Sequence, residues 1–387
     1  MRNRVSDILK VWCNEFKVVR ADAGVLIFLF LLPFAYPIVY SAIYNPEVAR
    51  DVPIVVVDDS RSGLTREYAR QLDATQWVEV VGCAANMEEA RRAMAKKACY
   101  AVVRFERDFS QKVGRREVAT VEVYCDMSLL LRYKSVLVAV TSVASEMGQS
   151  IQVERIAHLD NVGIEQVGGE PIPFTLVPIG NVSQGLATAV MPGVLVLILQ
   201  QCLLLAICFL GATSRERARV NGGVDPMEVA GVGAVARVVG KSLCYFVLII
   251  LPGIFVIHYV PMIFDFPLNG TVLDLVVFFA PYFLAVIFFA MVVQRAVPDR
   301  ESTFVVFVFT SVAFVFLSGV SWPRYAMNEF WQLVGDCIPS TWGINGVVGM
   351  NTAGATLQEQ SEPYIALWVL AMVYFGIALV LEKRKPH

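Results

Sequence analysis

Residues 183–241 read SQGLATAVMPGVLVLILQQCLLLAICFLGATSRERARVNGGVDPMEVAGVGAVARVVGK. The apolar run from Leu186 to Ala212 is interrupted only by Gly, Pro, Thr and the pair Gln200-Gln201. It exceeds the roughly 20 residues that a helix needs to cross a hydrocarbon core of about 30 Å. A basic turn, Ser214 to Arg219, follows, and Lys241 opens the next apolar run. Because Arg and Lys accumulate on the cytoplasmic side of membrane proteins, the chain is predicted to reach the cytoplasm here and turn back.

The composition is typical of a membrane protein. Of 387 residues, 56% are hydrophobic and 17% are charged, and the mean hydropathy is +0.59. The apolar residues are grouped in long runs, as membrane spans require. The net charge of −2 gives no basic field, so no nucleic-acid partner is predicted.

The eight cysteines form no CxxC pair and have no metal-ligand spacing with the three histidines. Cys83, Cys99, Cys125 and Cys337 are predicted to lie outside the membrane. A disulfide among the first three stays open, because spacing alone does not determine connectivity. No metal site is predicted, since aspartates at strand ends, such as Asp58-Asp59 and Asp126, usually form turns.

The first 44 residues are predicted to contain two helices. Residues 1–22 carry apolar side chains at spacings of three and four opposite Arg and Lys, which indicates an amphipathic helix lying in the membrane interface. A short soluble helix is the alternative. Residues 23–44 form the first predicted transmembrane helix, with Pro33 and Pro37 as expected kinks. No small-residue cleavage site follows this run, which favours an uncleaved anchor over a signal peptide.

Residues 45–184 contain no run long and apolar enough to span a membrane. Short apolar segments alternate with helical patterns here, which predicts a small α/β domain. The predicted strands are 53–58, 77–81, 100–105 and 120–124. A long return helix over about 127–159 and a Gly- and Pro-rich linker over 163–178 are predicted to lead back to the membrane.

Residues 185–387 are predicted to form a transmembrane domain of five more helices, with a cytoplasmic coupling segment at 213–241. The spans after the opening run are about 242–263, 272–293, 303–320 and 365–381. The fold class is therefore an α-helical polytopic membrane protein of six transmembrane helices, with an inserted extracytoplasmic α/β domain.

Charge asymmetry predicts the topology. With six spans, one side collects nearly all the basic residues of the termini and short loops. These are Arg2, Arg4, Lys10, Lys17, Arg20, Arg215, Arg217, Arg219, Arg237, Lys241, Arg295, Arg300, Lys383, Arg384 and Lys385. The opposite short loops contain only Arg324. Both termini are therefore predicted to be cytoplasmic, and the α/β domain external, because long domains translocate largely regardless of charge.

The order and spacing of several motifs resemble those of a known protein family. PIVVVDDS at 53–60 and SGLTR at 62–66 look like its opening external strand and turn, and LSGVSWP at 317–323 like its last external segment. Arg215-Glu216-Arg217 resembles its charged cytoplasmic signature. The family is the membrane subunits of type-2 ABC exporters, in the subgroup with a large external domain between the first and second spans. One departure is VNGGV at 220–224, where many relatives have Gly-Thr-Leu-Glu.

This resemblance implies a permease of an ATP-driven ABC exporter in a bacterial inner membrane, moving a hydrophobic or amphipathic substrate outward. A second copy or a paralogous permease would complete the pathway, in contact with membrane lipids. Separate ABC ATPase subunits would hold ATP and Mg and supply the energy. The external domain would cover the exit or bind a periplasmic adaptor protein.

The resemblance implies one set of site residues, and polar residues within the spans indicate a second, although Ser and Thr can also bond the backbone of their own helix. A helix over about 226–239 would enter a groove of the ATPase, with an ordinary connecting helix as the alternative. The coupling residues are Arg215, Glu216, Arg217, Met227, Glu228, Arg237 and Lys241. Polar residues within spans either line a substrate cavity or bond between helices. They are Gln200, Gln201, Thr310 and Ser311.

No enzymatic role and no cofactor are predicted for this chain. The phosphate-binding pattern GxxxxGK[ST] does not occur in the sequence, so ATP hydrolysis is assigned to a partner. Two alternatives remain open. The first is a membrane-anchored sensor or force-transmitting module whose external domain binds a periplasmic partner without substrate passage. The second is an intramembrane enzyme, although the spans lack an acidic pair or histidine cluster for such chemistry.

Overall fold

The computed structural model describes residues 2–45, 48–115, 117–157, 181 and 185–384. The chain divides into two compact units. We call residues 1–45 with 178–387 the helical unit, and residues 46–177 the α/β unit. The predicted linker at 163–178 and the end of the predicted return helix lie outside the described residues.

The helical unit begins with α1, Arg2–Ala21. Six helices in the described part of the chain have the length and composition to cross a membrane. They are α2 (Ala23–Tyr44), α7 (Leu186–Val220), α8 (Ala234–Ile263), α9 (Val272–Val293, extended by a short turn to Ala296), α10 (Arg300–Leu317) and α13 (Ser361–Lys383). Two shorter helices lie between α10 and α13, and neither was predicted from the mixed composition of this segment. They are α11 (Glu329–Asp336) and α12 (Pro339–Ala353).

Helix α7 is the core of the helical unit. Its apolar side chains point in all directions and are buried almost throughout, from Ala187 to Thr213. It packs against α2, α9, α10 and α12, as a helix without a polar face requires. The other membrane-length helices leave large apolar side chains exposed, notably Phe309 of α10 and Met372 of α13.

Helix α1 packs along α8 rather than standing alone. Val11, Val18 and Val19 of its apolar face are buried. The contact depends on Gly240 of α8, because a Cβ atom at that position would lie 2.8 Å from the Cβ of Val11. The amphipathic pattern therefore positions α1 against the first turns of α8.

The α/β unit contains a four-stranded sheet in the order β2-β1-β3-β4. Its elements are β1 (Val52–Asp58), α3 (Gly63–Asp73), β2 (Val78–Ala84), α4 (Met87–Ala95), β3 (Ala101–Phe105), α5 (Phe109–Gly114), β4 (Val121–Cys125) and α6 (Leu130–Ala157). Strand β1 pairs in parallel with β2 and β3, and β4 runs antiparallel to β3. The predicted alternation of strands and helices is confirmed within this unit.

Both faces of the sheet are covered, because successive side chains of a strand point to opposite faces. Ile54 and Val56 of β1 join a core with α3 and α6, while Val55 and Val57 join a smaller core with α4. The aspartate after β1 forms a turn: Asp58 Oδ1 accepts hydrogen bonds from the backbone amides at 60 and 61, at 3.1 and 2.8 Å.

All eight cysteines lie within the described residues, and each is a free thiol. Cys83, Cys99 and Cys125 therefore form no disulfide with one another in the structure. Cys99 is fully buried between the sheet and α4, whereas Cys83 is exposed on β2.

Candidate functional site

A cavity of about 100 Å³ lies at one end of the helical unit, between α1, α7, α8, α9 and α13. Nine charged side chains line it, five basic and four acidic. They are Glu15, Arg215, Arg217, Asp225, Glu228, Arg237, Lys241, Arg295 and Glu382. The cavity thus gathers charges from distant parts of the sequence at one end of the bundle, and we call it the charged cavity.

Six of the seven predicted coupling residues line the charged cavity. Glu216 is the exception, since its carboxylate accepts a hydrogen bond of 3.0 Å from the backbone amide of Arg300. Four further members were not among the predicted coupling residues: the acids Glu15, Asp225 and Glu382, and Arg295, which the charge asymmetry had already assigned to this side. The available signal for the three acids was their closeness in the sequence to basic residues: Lys17 follows Glu15, Arg219 precedes Asp225 and Lys383 follows Glu382.

The segment from Ser214 to Val239 differs from the prediction in two ways. Ser214 to Arg219 form the last turns of α7 rather than a turn of the chain. The predicted helix over 226–239 is wrong for residues 226–233, which form turns, and α8 begins at Ala234. Gly222 and Gly231 adopt positive φ angles of 68° and 73°, a conformation in which glycine is strongly favoured over residues with a Cβ. We call residues 221–233 the return turn.

Asp225 holds the return turn against the end of α7. Its two carboxylate oxygens accept hydrogen bonds from Arg217 Nε and Nη2 at 3.0 and 2.9 Å, and one also accepts from Ser214 Oγ at 2.6 Å. Burial opposes ionisation of Asp225, but the hydrogen bonds from Arg217, Ser214 and the Met227 amide outweigh it and lower its pKa. The side chain is only 3% exposed. This bidentate, charge-assisted pair fixes the direction in which the chain leaves α7.

Helix α1 contacts the same turn and the start of α8. Asn14 Nδ2 donates a hydrogen bond of 2.7 Å to the carbonyl oxygen of Met227. Glu15 accepts a hydrogen bond of 2.8 Å from the Tyr245 hydroxyl, and its carboxylate lies 3.8 Å from Lys241 Nζ. Three segments are therefore joined by polar contacts: α1, the return turn and α8.

Glu382 near the end of α13 completes the network. Its carboxylate forms ion pairs with Arg295 and, at 3.4 Å, with Arg237. Arg237 also lies 3.9 Å from Glu228 of the return turn. A displacement of the return turn would therefore be transmitted to α8, α13 and the turn after α9 at once.

A second ionic contact lies where α2, α7 and α10 begin or end. Arg300, the first residue of α10, donates through Nη2 to Asp22 Oδ2 at 2.5 Å. Its guanidinium carbon lies 4.7 Å from the centre of the Phe209 ring of α7, within the range of a cation–π contact. Glu216 is held at 3.8 Å from Arg300 Nε.

A comparison with protein families assigns this architecture. The family model described as "ABC-2 family transporter protein" matches residues 23–380. The chain belongs to the ABC-2 transporter family. It is thus a multi-pass membrane protein and the permease component of an ABC transporter, a component that works with an ABC ATPase subunit. No curated protein matches the chain.

The polar residues inside the spans of this ABC-2 permease have partners within the chain. Gln200 is fully buried, and its Nε2 donates to Ser340 Oγ of α12 at 3.1 Å. Thr310 Oγ1 donates to the Val306 carbonyl of its own helix at 2.7 Å and lies 3.4 Å from Gln201 Oε1. Ser311 Oγ likewise donates to a carbonyl of its own helix, at 2.6 Å. Substrate contact by these residues stays a prediction.

The same region contains unused hydrogen-bonding atoms. Gln200 Oε1, Gln201 Nε2 and Thr341 Oγ1 are buried without a hydrogen-bond partner. An unsatisfied buried polar atom costs about 1–3 kcal/mol. Gln200 and Thr341 belong to the two helices joined by the Gln200–Ser340 hydrogen bond, whereas Gln201 contacts Thr310 of α10. The predicted set did not include Ser340 or Thr341, which follow Pro339 at the start of α12.

Proposed function

We propose that this ABC-2 permease exports a hydrophobic or amphipathic substrate, and that the return turn with α1 receives the motion of its ATPase subunit. The charged cavity carries this proposal. In it, Asn14, Asp225 and Arg237 join the return turn to α1, α7, α8 and α13, and Glu15 joins α1 to α8. A push on one exposed turn therefore reaches several membrane-length helices.

The last residue of α7 and the return turn together offer a surface on which a partner can pack. Val220 is 85% exposed, Val224 is 61% exposed and Met227 is 39% exposed. Apolar side chains exposed together beside charged groups are typical of protein contact sites. We assign these three residues to the contact with the ATPase, which would hold ATP and Mg while this chain supplies no nucleotide-binding loop.

The proposed orientation places both termini and the charged cavity in the cytoplasm, and the α/β unit outside a bacterial inner membrane. Positive charge at the cavity end supports this orientation. A second copy or a paralogous permease would cover the exposed apolar face of α10, where Phe309 is the most exposed large side chain. A periplasmic adaptor protein would bind the α/β unit.

The orientation can be tested with cysteines that the chain already has. Cys13 of α1 and Cys83 of the α/β unit are both exposed. A membrane-impermeant maleimide applied to intact cells should modify Cys83 and leave Cys13 unmodified until the membrane is opened. The variants Cys13→Ser and Cys83→Ser identify the two signals. Equal modification of both cysteines in intact cells would contradict the proposed topology.

The coupling role can be tested by co-purification and reconstitution. The detergent-solubilised chain should retain an ABC ATPase subunit, and the complex should hydrolyse ATP in vesicles. Val224→Glu should lower this activity at least tenfold by charging the contact surface. The matched control is Val118→Glu, because Val118 is 89% exposed in the α/β unit. Equal activity of both variants would reject the return turn as the docking surface.

Transport is tested separately by flux. A complex that hydrolyses ATP and accumulates a lipophilic substrate inside inverted vesicles, whose outer face is the cytoplasmic one, supports export. A complex that hydrolyses ATP at the same rate without any flux, over a panel of amphipathic compounds, supports the force-transmitting alternative.

A further inference from the structure

Arg215 is the one lining residue of the charged cavity whose positive charge has no acidic partner within 4 Å among the described residues. Its Nη2 donates to the backbone carbonyl of Val297. Its Nε is buried and has no hydrogen-bond partner. A guanidinium carries five N–H donors, so most of the donor capacity of Arg215 is unused by carboxylates.

The neighbouring acids are already engaged. Glu216, the next residue, accepts a hydrogen bond from the backbone amide of Arg300. Asp225 accepts hydrogen bonds from the guanidinium of Arg217. The charged neighbours of Arg215 include Arg295, a second cation on the cavity wall. An uncompensated charge in a partly buried site is costly, and a counter-ion with good hydrogen-bond geometry offsets that cost.

The cavity has room for such a counter-ion. Its volume of about 100 Å³ is several times the roughly 10–15 Å³ that one water molecule needs. Lys241 lines the same cavity, and the loose contact of 3.8 Å between its Nζ and Glu15 leaves ammonium donors available. Arg237 Nε is a further buried donor without a partner.

The position of Arg215 along α7 indicates the class of anion. A helix rises about 1.5 Å per residue, so Arg215 lies roughly 44 Å from Leu186 along the helix axis. That distance exceeds a hydrocarbon core of about 30 Å and reaches the level of lipid headgroups. Phosphate groups are the anions at this level, and the guanidinium fork matches phosphate oxygens in geometry.

We propose that the charged cavity binds a phosphate group, with Arg215 as its principal ligand and Lys241 and Arg295 as supporting cations. The phosphate belongs either to an anionic lipid headgroup or to a free phosphate ion. Its binding joins α7, α8 and the turn after α9 through one shared counter-ion. This proposal does not depend on the ATPase contact.

The experiment uses the full chain purified in neutral detergent. Sodium phosphate and sodium chloride are titrated at equal ionic strength, so that the screening of surface charges is the same in both series; stabilisation by exclusion of phosphate from the surface does not saturate and does not depend on Arg215. Phosphatidylglycerol and diacylglycerol, which lacks the phosphate, are compared in the same way. A ligand that binds the folded state raises the unfolding midpoint with its concentration. We expect a saturable rise with phosphate or phosphatidylglycerol, and none with chloride or diacylglycerol.

Two variants locate the site. Arg215→Gln should weaken the response about tenfold or more, since one charge-assisted contact is lost. Arg219→Gln is the matched control, because Arg219 lies one turn further along α7, is exposed and is absent from the cavity lining. Ala218→Leu places a larger side chain in the cavity without changing any charge, and should also abolish the response.

The pattern of responses shows whether the bound phosphate comes from a lipid headgroup or from the free ion. A response to phosphatidylglycerol alone identifies a lipid headgroup, and a response to sodium phosphate identifies the free ion. No response to either, or equal responses of wild type, Arg215→Gln and Arg219→Gln, overturns the proposal. If Arg215→Gln does not yield monodisperse protein, an unchanged response in Ala218→Leu overturns it.

Discussion

Asp22 and Arg300 are 278 positions apart in the sequence, yet Asp22 Oδ2 accepts a hydrogen bond of 2.5 Å from Arg300 Nη2. The other oxygen of Asp22 accepts from the amides of Gly24 and Val25 and caps the start of α2. Arg300 is the first residue of α10, where a positive charge is disfavoured by the helix dipole. The carboxylate of Asp22 therefore offsets the positive charge of Arg300 and also caps the N-terminus of α2.

These two roles of Asp22 can be separated by substitution. Asp22→Asn keeps a capping oxygen but loses the ion pair, so we expect a loss of about 1 kcal/mol for this half-exposed contact. Asp22→Ala loses the cap as well, at a further cost of about 1 kcal/mol. Thermal unfolding of the purified chain should rank wild type, Asp22→Asn and Asp22→Ala in falling order. Identical midpoints for the two variants would contradict the capping role.

The return turn should be sensitive to acid because of Asp225. Hydrogen bonds from Arg217, Ser214 and the Met227 amide outweigh burial and lower the pKa of its carboxyl. A lowered pKa in the folded state means that the contribution of Asp225 is complete above the ordinary aspartate pKa of about 3.9. It is lost as the pH falls below that value.

Limited proteolysis of residues 221–233 measures this effect. Cleavage of the wild type should be slow and constant between pH 8 and pH 5, and faster near pH 3, with an acid-stable protease. Asp225→Asn should be cleaved faster at every pH, without the change below pH 4. A wild-type cleavage rate that changes between pH 8 and pH 5 would point to another titrating group.

Helix α12 should tolerate no side chain at two of its glycines. A Cβ atom at Gly346 would lie 2.1 Å from a ring carbon of Phe278, and one at Gly343 would lie 2.4 Å from a ring carbon of Tyr282. Both ring side chains are fully buried. Overpacking of this kind costs about 1–3 kcal/mol, so Gly346→Ala and Gly343→Ala should lower the unfolding midpoint and the yield of monodisperse protein.

Gly376 of α13 supplies the matched control. A Cβ atom there would meet nothing within 4 Å, and alanine favours helix over glycine by up to about 1 kcal/mol. Gly376→Ala should therefore leave the unfolding midpoint unchanged or raise it. A fall comparable with that of Gly346→Ala would show that the loss is not specific to the α12 contact.

Variants of the contact between Gln200 and Ser340 test whether Gln200 serves helix packing or substrate transport. Ser340→Ala leaves Gln200 Nε2 without its partner in a buried site, at a cost of about 1–3 kcal/mol. Gln200→Met with Ser340→Ala removes both polar groups and should recover most of the lost stability. Unfolding midpoints of the two single variants and the double variant complete the cycle.

The same variants report on substrate contact. If Gln200 only packs α7 against α12, the double variant should export an amphipathic substrate at the wild-type rate. A tenfold loss of flux with recovered stability would instead assign Gln200 to the transport pathway, as the sequence allows.

Local patterns were enough to predict most helices and all four strands, because hydrophobic periodicity reports burial directly. The apolar run of α7 and the alternation of the α/β unit are examples. Helices α11 and α12 escaped prediction because their segment mixes Pro, Trp and polar residues. Residues 226–233 of the return turn are not the predicted helix, because Gly231 and Gly233 disfavour helix there despite the helical spacing of the valines.

The sequence alone determined that the chain has six membrane-length apolar segments, with basic residues directly after the apolar run of α7, because hydropathy and charge are properties of each segment by itself. Only the tertiary structure decided which charges meet. Glu15, Asp225 and Glu382 are ordinary acids in the sequence, and they become partners of Lys241, Arg217 and Arg237 only when the helices pack. Side-chain pairing depends on distances across the bundle, and no local pattern encodes those distances.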